Sequence, residues 1–303
     1  MLTGTPTIWN MALCAARARG LPHIIPQNSS INQAINDSFV IPQLPAVTTA
    51  GMEVTDDYNY ATDTADVRLR LFCIGNGGHQ LVQGGSLNIP TFEPKPHAAT
   101  DAALYSILPF VVKPITNDLS GSDRQKFRLR RTIEIDGELY AAYFGRVLPV
   151  TNGNVQMLLD VTPLGDATQT SVFTPSLDNI RLTDPNLSGN NTVTSVRASY
   201  TEQLTFTPQD VAWLEEACTL LYGSASNARI SEIAICTGVD KQVTGVYPTT
   251  GTQVVNNINS PYYETVGCQA FTFNNTEAVA YGSNGFVLDI DTGASELLFA
   301  RNE

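Results

Sequence analysis

The histidines are the first candidates for chemistry in this chain of 303 residues, which contains only three of them. His23 and His97 lie beside prolines in loop-like stretches, and His79 follows a glycine-rich turn. This is not the spacing of a metal ligand or of a general base. A site made by His79, His97 and Cys73 would require the fold to bring distant segments together, and it stays a hypothesis at this point.

An Asp-Thr-Gly sequence, as found in aspartic proteases, lies within the segment Asp289-Ile290-Asp291-Thr292-Gly293. Aspartic proteases need two such carboxylates that share a proton. A single copy could serve only an obligate dimer, and Ala294-Ser295-Glu296 replaces the apolar residues expected after the glycine. We therefore predict a turn here. Because no G-x-S-x-G or H-E-x-x-H sequence occurs either, we predict no catalytic, cofactor-binding or metal-binding residue, no cofactor and no enzymatic activity.

A glycine-rich segment, Gly75-Asn76-Gly77-Gly78, follows a strand predicted over 66–74. A loop of this composition after a strand can cradle a phosphate through its backbone amides. However, the P-loop lysine is missing, the spacing is not G-x-G-x-x-G, and a second strand rather than a helix is predicted to follow. We interpret the segment as a plain turn.

Five basic residues lie within 122–131, interleaved with Phe127 and Leu129, and they are Arg124, Lys126, Arg128, Arg130 and Arg131. In a strand, the first four would share one face, opposite Phe127 and Leu129. Two interpretations stay open. The face is either solvated or salt-bridged within an otherwise acidic protein, or it is a docking stripe for an acidic neighbour.

The composition is poor in charge, with 15% charged residues and a net charge of −12. An ordinary soluble domain has roughly 25% charged residues. The net charge argues against a nucleic-acid-binding surface, which needs clustered Lys and Arg. A surface with little charge suits extensive contact with neighbouring copies, because little charge is desolvated on association. The alternative is a secreted or simply uncharged β-protein.

The cysteines predict reduced core thiols. They are odd in number, widely spaced and set in apolar runs, and they are Cys14, Cys73, Cys218, Cys236 and Cys268. A zinc site would need close pairs such as C-x-x-C, and none occurs. The sequence shows neither a signal peptide nor a membrane span. We therefore expect a soluble protein that is made in the cytoplasm and contacts neither membrane nor nucleic acid.

The best-defined element is a helix at about 208–222. Thr207-Pro208-Gln209-Asp210 supplies a hydroxyl N-cap, a proline at N1 and a carboxylate at N3. Gly223 supplies the left-handed residue that ends a helix. An alternating strand over 200–206 precedes the helix, and a β-rich run over 230–236 follows it.

The other elements predict an α+β, β-rich fold with antiparallel sheets and a few short helices. Asp136-Gly137 marks a type I′ turn in a hairpin over 132–144. Further strands are predicted over 110–112, 147–150, 155–161, 269–273, 278–281 and 285–290, and a short helix over 98–108. We expect the apolar segment 295–300 to be held in a sheet or an interface.

Four segments are expected along the chain. Residues 1–50 form an arm in which a short Ala-rich helix over 8–19 precedes an extended, proline-punctuated stretch. This arm either lies across a neighbouring subunit or wraps over its own domain. Residues 51–162 form a β-rich domain, 163–192 a linker rich in Pro, Asp, Asn, Ser and Gly, and 193–303 a strand-helix-strand C-terminal domain.

The segment Ile230-Ser231-Glu232-Ile233-Ala234-Ile235-Cys236-Thr237-Gly238-Val239-Asp240-Lys241 resembles a strand-and-turn segment of tail-associated proteins of tailed bacteriophages. The helix before it and the Asn-rich, charge-poor composition are similar to those of phage virion proteins more broadly. The resemblance covers about a seventh of the chain, and it implies no catalytic residues. It implies a ring- or lattice-forming subunit at the neck (collar or connector), tail or baseplate.

We therefore expect a virion structural protein that is made in the host cytoplasm, assembles with copies of itself as a homo-oligomer and joins other virion proteins. A capsid decoration protein is an alternative from the same class. A carbohydrate-binding or hydrolytic β-protein is an alternative from another class. It would need exposed aromatic residues or a cleft with paired carboxylates, and the chain has only two tryptophans, Trp9 and Trp213.

Overall fold

A computed structural model describes residues 2–21, 29–42, 67–84, 89–149, 155–162, 167–174, 193–243, 262–276, 284–291 and 294–297. These residues form an α+β, β-rich fold of antiparallel sheets with four helices, as the sequence predicts. The helices are α1 (Ile8–Ala18), α2 (Ser30–Ser38), α3 (Gly121–Arg124) and α4 (Pro208–Tyr222). None of the described helices is both long enough and apolar enough to cross a membrane.

The strands are short except for β14 and β15. They are β1 (Leu2–Thr3), β2 (Thr5–Pro6), β3 (Arg68–Gly75), β4 (His79–Gly84), β5 (Ile89–Pro94), β6 (Ile107–Leu108), β7 (Val111–Pro114), β8 (Phe127–Ile135), β9 (Glu138–Val147), β10 (Gln156–Thr162), β11 (Gln169–Val172), β12 (Val193–Ser199), β13 (Thr201–Phe206), β14 (Glu232–Val243), β15 (Tyr262–Asn275), β16 (Phe286–Asp291) and β17 (Ala294–Leu297). The strand predicted over 278–281 lies outside the described residues.

An eight-stranded sheet, here called the main sheet, organises the fold. Its strand order is β2-β15-β14-β3-β9-β7, with β6 paired to β3 and β8 paired to β9. The predicted hairpin is confirmed as β8 and β9, joined by Asp136 (φ 51°) and Gly137 (φ 82°). These positive φ angles are those of a type I′ turn, which matches the twist of the two strands.

The main sheet is buried on both faces. Along β3, Phe72 and Ile74 belong to one hydrophobic cluster, whereas Leu71 and Cys73 belong to another. Strands β9 and β14 divide their side chains between the two clusters in the same alternating way. Both faces of these central strands therefore need apolar residues, which explains near-continuous apolar runs such as 71–74 and 233–236.

A three-stranded sheet, here called the cover sheet, lies with α4 on the first face. Its order is β1-β16-β13. Strand β13 buries every second residue, including Leu204 and Phe206, as predicted. Phe206 stacks on Phe286 with 4.4 Å between ring centroids and meets Phe72 of the main sheet edge-on at 6.0 Å. Strands β13 and β14 therefore belong to different sheets, and α4 connects them.

The N-terminal segment packs against its own chain over its described residues. Strand β2 pairs with β15, and α1 and α2 both contact β15. The prediction of an extended stretch after residue 21 is wrong at α2, which is helical. Ser29 caps this helix, because its side chain accepts a hydrogen bond from the Asn32 amide at 3.1 Å. Ile31 and Ile35 of α2 are fully buried. Their i,i+4 spacing, set among polar residues, forms a stripe too short to be recognised in the sequence.

The division into a domain at 51–162 and another at 193–303 does not describe this fold. Strand β14 pairs with β3 over seven residue positions, so strands from both expected domains lie side by side in the main sheet. The turn-rich composition of 163–192 is local information, whereas strand pairing is decided by burial between distant segments. The expected linker itself contains a strand, β11.

A third sheet, here called the side sheet, has the order β11-β10-β12-β17. It combines the predicted strand over 155–161 with part of the apolar segment over 295–300, which is held in a sheet at β17 as expected. Val155, Met157 and Val172 are exposed by 67%, 46% and 73%. The described residues of β10 and β11 are absent from the three hydrophobic clusters of the core.

The helix predicted at 208–222 is confirmed together with its caps. The Thr207 side chain accepts a hydrogen bond from the Asp210 amide at 3.3 Å, and the Asp210 carboxylate accepts one from the Thr207 amide at 2.8 Å. This capping box satisfies two backbone donors at the start of α4. Gly223 has a φ of 74° and ends the helix in the left-handed conformation.

We predict that Thr207→Ala lowers the free energy of unfolding by about 1 kcal/mol, because the Asp210 amide loses its acceptor. Thr207→Ser is the matched control, since it keeps the hydroxyl, and it should unfold nearly as the wild type does. Urea denaturation followed by circular dichroism measures both. Equal stability of the alanine and serine variants would contradict a capping role for the hydroxyl.

Candidate functional site

The carboxylate of Glu232 at the start of β14 joins this strand to two loops by hydrogen bonds. Its side chain is fully buried. Oε1 accepts hydrogen bonds from the amides of Gly77 (3.0 Å) and Ser106 (2.9 Å). Oε2 accepts one from the Tyr105 amide (3.0 Å) and lies 2.8 Å from Nε2 of His97. A buried carboxylate with this many partners is a strong organising point for the segments that supply them.

His97 lies between two carboxylates and two aromatic rings. Its Nδ1 atom is 3.0 Å from Oδ2 of Asp101, opposite the contact with Glu232. The imidazole stacks on Tyr105 and on Phe273, with centroid distances of 4.2 and 4.1 Å. The histidine side chain is fully buried. Both ring nitrogens and the stacked faces are therefore in contact with the protein itself, and the ring is not presented to a substrate.

Asp101 ties together the segment 95–106 that carries these groups. Its Oδ2 atom accepts hydrogen bonds from the Ala98 amide (3.0 Å) and the Tyr105 hydroxyl (3.1 Å). Burial alone would raise the pKa of Asp101, but these two hydrogen bonds and the one from His97 lower it overall. The helix expected over 98–108 is wrong. The segment is a loop that ends in β6, because its amides at 105 and 106 donate to Glu232 instead of to a helix.

The glycine-rich segment at 75–78 is a turn followed by a strand, as predicted. A Cβ atom at Gly75 would lie 2.5 Å from Oε1 of Glu232 and 2.5 Å from the Ser106 carbonyl. Only glycine permits this approach. The Gly77 amide donates to Glu232 and the Gly78 amide to the Ser231 hydroxyl. The loop thus binds an anion through its backbone, and this anion is the Glu232 carboxylate of the same protein.

We call Glu232, His97, Asp101, Tyr105 and Gly77 the Glu232 cluster. It joins the start of β14, the glycine turn after β3 and the loop before β6. Its chemical groups resemble an acid-base relay, because an imidazole lies between carboxylates. The enclosure of the imidazole makes the cluster a positioning device for two loops.

Cys73, His79 and His97 do not form a joint site. Cys73 contributes to the thiol group described below, and His79 begins β4. His97 belongs to the Glu232 cluster, and His23 lies outside the described residues. Within the described ranges, no group of three His, Cys, Asp or Glu side chains is arranged to hold a metal ion. In the Asp-Thr-Gly sequence, Asp291 is the last residue of β16, and Thr292 and Gly293 lie outside the described residues.

The basic run at 124–131 forms ion pairs within the protein. Strand β8 covers only part of it, and register shifts on both sides of Leu129 break the expected alternation. The pairs are Arg124–Asp118 (3.9 Å), Lys126–Asp123 (2.9 Å), Arg128–Asp240 (3.2 Å), Arg130–Asp118 (3.0 Å) and Arg131–Glu264 (2.6 Å). Arg124, Arg130 and Arg131 are buried. These contacts favour the salt-bridged interpretation over a docking stripe.

Two carboxylates of these ion pairs also accept hydrogen bonds from buried tyrosines. The Tyr143 hydroxyl donates to Asp118 at 2.8 Å, and the Tyr262 hydroxyl donates to Glu264 at 2.9 Å. Burial raises the pKa of both phenols, and the neighbouring carboxylate charges raise each further. Each hydroxyl therefore donates a hydrogen bond to a buried carboxylate that arginine side chains also contact.

The predicted core thiols are present at four of the five cysteines. Cys73, Cys236 and Cys268 lie on the adjacent strands β3, β14 and β15 and are fully buried, as is Cys218 on α4. Burial raises the pKa of Cys236 well above its ordinary value, and contacts with Cys268 and Cys73 raise it further. Burial also raises the pKa of Cys218 to about 12. Cys14 is exposed.

An open cavity of about 480 Å³ lies between α1 and the main sheet. Leu13, Cys14 and Arg17 line it from the helix, and Phe271 lines it from β15. The Arg17 guanidinium donates to the Val67 carbonyl at 2.6 Å. The residues that line the cavity include no carboxylate, so a paired-carboxylate cleft of the glycosidase type is not formed there.

The two tryptophans are both half-buried. The Trp9 indole donates to the Thr237 hydroxyl at 2.8 Å, and Trp213 lies under the Lys126 ammonium at 5.7 Å from the ring centroid. Each ring therefore packs within the chain. Neither forms the exposed aromatic platform that a carbohydrate-binding protein would need.

The sequence held one signal of the Glu232 cluster that our interpretation missed. Glu232 stands in a run of Ile230, Ile233, Ala234 and Ile235, which is buried on both faces. A glutamate in such a run must find hydrogen-bond donors inside the protein. Which donors it finds depends on the pairing of β14 with β3, and spacing along the chain does not reveal that pairing.

A protein family model described as a family of unknown function, DUF7208, matches residues 2–303 of the chain. Neither the curated proteins nor the solved structures contain a match.

We predict that Glu232→Gln lowers the free energy of unfolding by about 3 kcal/mol, because the buried donors around it lose a charged acceptor. Exposed Glu93 of β5 offers the matched control. Glu93→Gln should change stability by less than about 0.5 kcal/mol. Denaturant titration gives both values, and hydrogen exchange of residues 95–106 should accelerate only in the Glu232 variant. Similar stability of the two variants would contradict the organising role of Glu232.

We further predict that one of the five thiols reacts with a maleimide in the folded protein and that all five react after unfolding. The thiolate is the reacting form, and burial both hides the other four thiols and raises the pKa of Cys218 and Cys236. Mass spectrometry counts the adducts. Cys14→Ser is the control and should leave no native reaction. Rapid native labelling of two or more thiols would contradict the described core.

Proposed function

We propose that this chain, which belongs to the family of unknown function DUF7208, is a self-assembling structural subunit of a tailed-bacteriophage virion, located at the neck or tail. The side sheet is the observation that carries this proposal. It exposes Val155, Met157 and Val172 outside the hydrophobic core. Met157 lies on one face of this sheet, and Val172, which pairs with Leu158, lies on the other, whereas Val155 immediately precedes β10. Exposed apolar residues of this kind are typical of surfaces that another chain covers.

The distribution of charge supports the same proposal. The ion pairs of Arg130 with Asp118 and of Arg131 with Glu264 are buried. Charged side chains that are used inside a protein leave fewer on its surface, and this chain has only 15% charged residues. A subunit that is surrounded by neighbours benefits, because polar but uncharged surface is cheaper to desolvate than charged surface.

The Glu232 cluster supports a structural role as well. It fixes two loops by hydrogen bonds to one buried carboxylate and encloses its own imidazole. Rigid loops suit a building block, because association then costs less conformational entropy. The segment 230–241, which resembles part of phage tail-associated proteins, contains Glu232 and forms most of β14.

We predict that the purified chain forms a closed oligomer whose mass is a multiple of 32.7 kDa. Sedimentation velocity and mass photometry measure this mass. The oligomer should persist at about 1 M NaCl, where the Debye length is only about 3 Å, because the contacts are largely uncharged. A strict monomer at all concentrations, alone and with the other virion proteins, would contradict the proposal.

The location is tested separately by immunogold electron microscopy of phage particles with an antibody against this chain. Labels at the neck or tail support the proposal, and pre-immune serum is the control. Labels scattered over the head would indicate a capsid decoration protein instead. The absence of label from intact and disrupted particles would contradict a role in the virion.

A further inference from the structure

Each edge strand of the side sheet has one neighbour within the part of the chain that the structure describes. Among the residues that the structure describes, β11 pairs only with β10, and β17 pairs only with β12. The outer side of an edge strand presents backbone N–H and C=O groups that can pair with another chain. Natural proteins usually protect such an edge with charged residues, proline or a bulge. Strand β11 consists of Gln169, Thr170, Ser171 and Val172 and carries neither charge nor proline.

The two edges are complementary in direction. Every neighbouring pair in the order β11-β10-β12-β17 is antiparallel. With four strands, the two edge strands therefore run in opposite directions. If the β17 edge of one copy lies beside the β11 edge of the next, the antiparallel alternation continues without a break. Contacts between two different edges are heterologous, and they generate rings when the rotation closes.

We propose that copies of this chain join head to tail through the side sheet, with β11 of one copy paired to β17 of the next. The proposal rests on the self-assembly proposed above and assigns its contact surface. The occupant of each edge is a second copy of this chain. Main-chain hydrogen bonds supply the pairing, and Val172, the exposed apolar residue of the edge strand β11, supplies apolar surface that the neighbour covers.

The charge of this surface fits a second copy. In a chain of net charge −12, two copies repel each other wherever acidic surfaces meet. The seven residues of β10 and the four of β11 include one charged side chain, Asp160. Its carboxylate already accepts a hydrogen bond from the Thr170 hydroxyl at 2.6 Å. The other edge strand, β17, carries one charge, Glu296, and β11 carries none, so no like charges face each other across the proposed strand pair.

The pattern of hydrogen bonds between β11 and β10 identifies the amides of β11 that face away from β10. The Phe173 amide donates to the Met157 carbonyl at 2.8 Å. In the register that pairs Val172 with Leu158, hydrogen-bonded positions alternate along the strand. Ser171 therefore faces β10, whereas the amides of Thr170 and Val172 point to the open edge. These two amides are the donors available to a neighbouring copy.

The experiment replaces Val172 in the full-length chain. Val172→Pro removes an outward N–H and leaves the inner ladder between β10 and β11, a position where edge strands tolerate proline. Val172→Ala is the matched control, because it shortens the side chain and keeps the N–H. We expect the proline variant to associate at least about tenfold more weakly than the alanine variant in sedimentation velocity, with an unchanged circular dichroism spectrum.

Hydrogen exchange with residue-level fragmentation tests the wild-type oligomer and does not depend on how the proline variant folds. We expect the amides of Thr170 and Val172 to be protected in the oligomer as strongly as that of Ser171. Rapid exchange of the two outward amides would overturn the proposal. So would equal assembly of the proline and alanine variants.

These outcomes separate the two proposals. If the wild type assembles but the outward amides exchange freely, the edge-pairing proposal fails and the structural function stands. If the wild type never assembles, the proposed function fails. An assembly that stops at two copies would also overturn head-to-tail pairing, because a symmetric dimer uses the same edge twice.

Discussion

The buried carboxylate of Glu232 is the interaction on which the loops at one end of the main sheet depend. Removing a charge from water is costly unless donors surround it. Here backbone amides from two loops, together with His97, provide that environment. Gly75 is needed because a Cβ atom there would lie 2.5 Å from the carboxylate, whereas Gly77 and Gly78 approach residues 105–106 and Ser231. One side chain thus accounts for the glycine at position 75 of one loop and for the missing helix in the other.

The same principle extends across the sheet. Asp118 and Glu264 are each surrounded by arginine and tyrosine donors, and both lie beside β8 and β9. A main sheet that is covered on both faces has few places for charge, so its charged residues must be paired inside the protein. This explains how a run of five basic residues exists without forming a basic surface. It also links the low charge content of the chain to the architecture of its core.

Local signals predicted the elements that local interactions decide. The capping residues Thr207 and Asp210 and the terminator Gly223 fixed the bounds of α4, and Asp136-Gly137 fixed the hairpin. Periodicity also predicted the alternating burial of β13. In each case the deciding contacts join residues that are near in sequence, and turn and cap chemistry reports such contacts directly.

Non-local contacts decided what the sequence did not predict. The loop at 95–106 has helical periodicity, but the distant Glu232 offers its amides a better partner. Likewise, the expected domain boundary fails because β14 completes a sheet begun by β3. Helix α2 was not predicted, because its two isoleucines can be recognised as a core-facing stripe only when the contact of α2 with β15 is known. The Glu232 cluster belongs to this group, because its members come from three segments that pairing brings together.

The pairing of the first strands with the last ones has a consequence for biosynthesis. Leu2 lies opposite Ile290, and Thr5 lies opposite Phe273. Most domains of a growing polypeptide begin to fold from the N-terminus. In this chain the sheets cannot close until residues beyond 290 have left the ribosome. Contacts of such long sequence separation also make folding slow. Until then the translating ribosome holds an intermediate with unpaired apolar strands, and a holding chaperone would find its binding surface there.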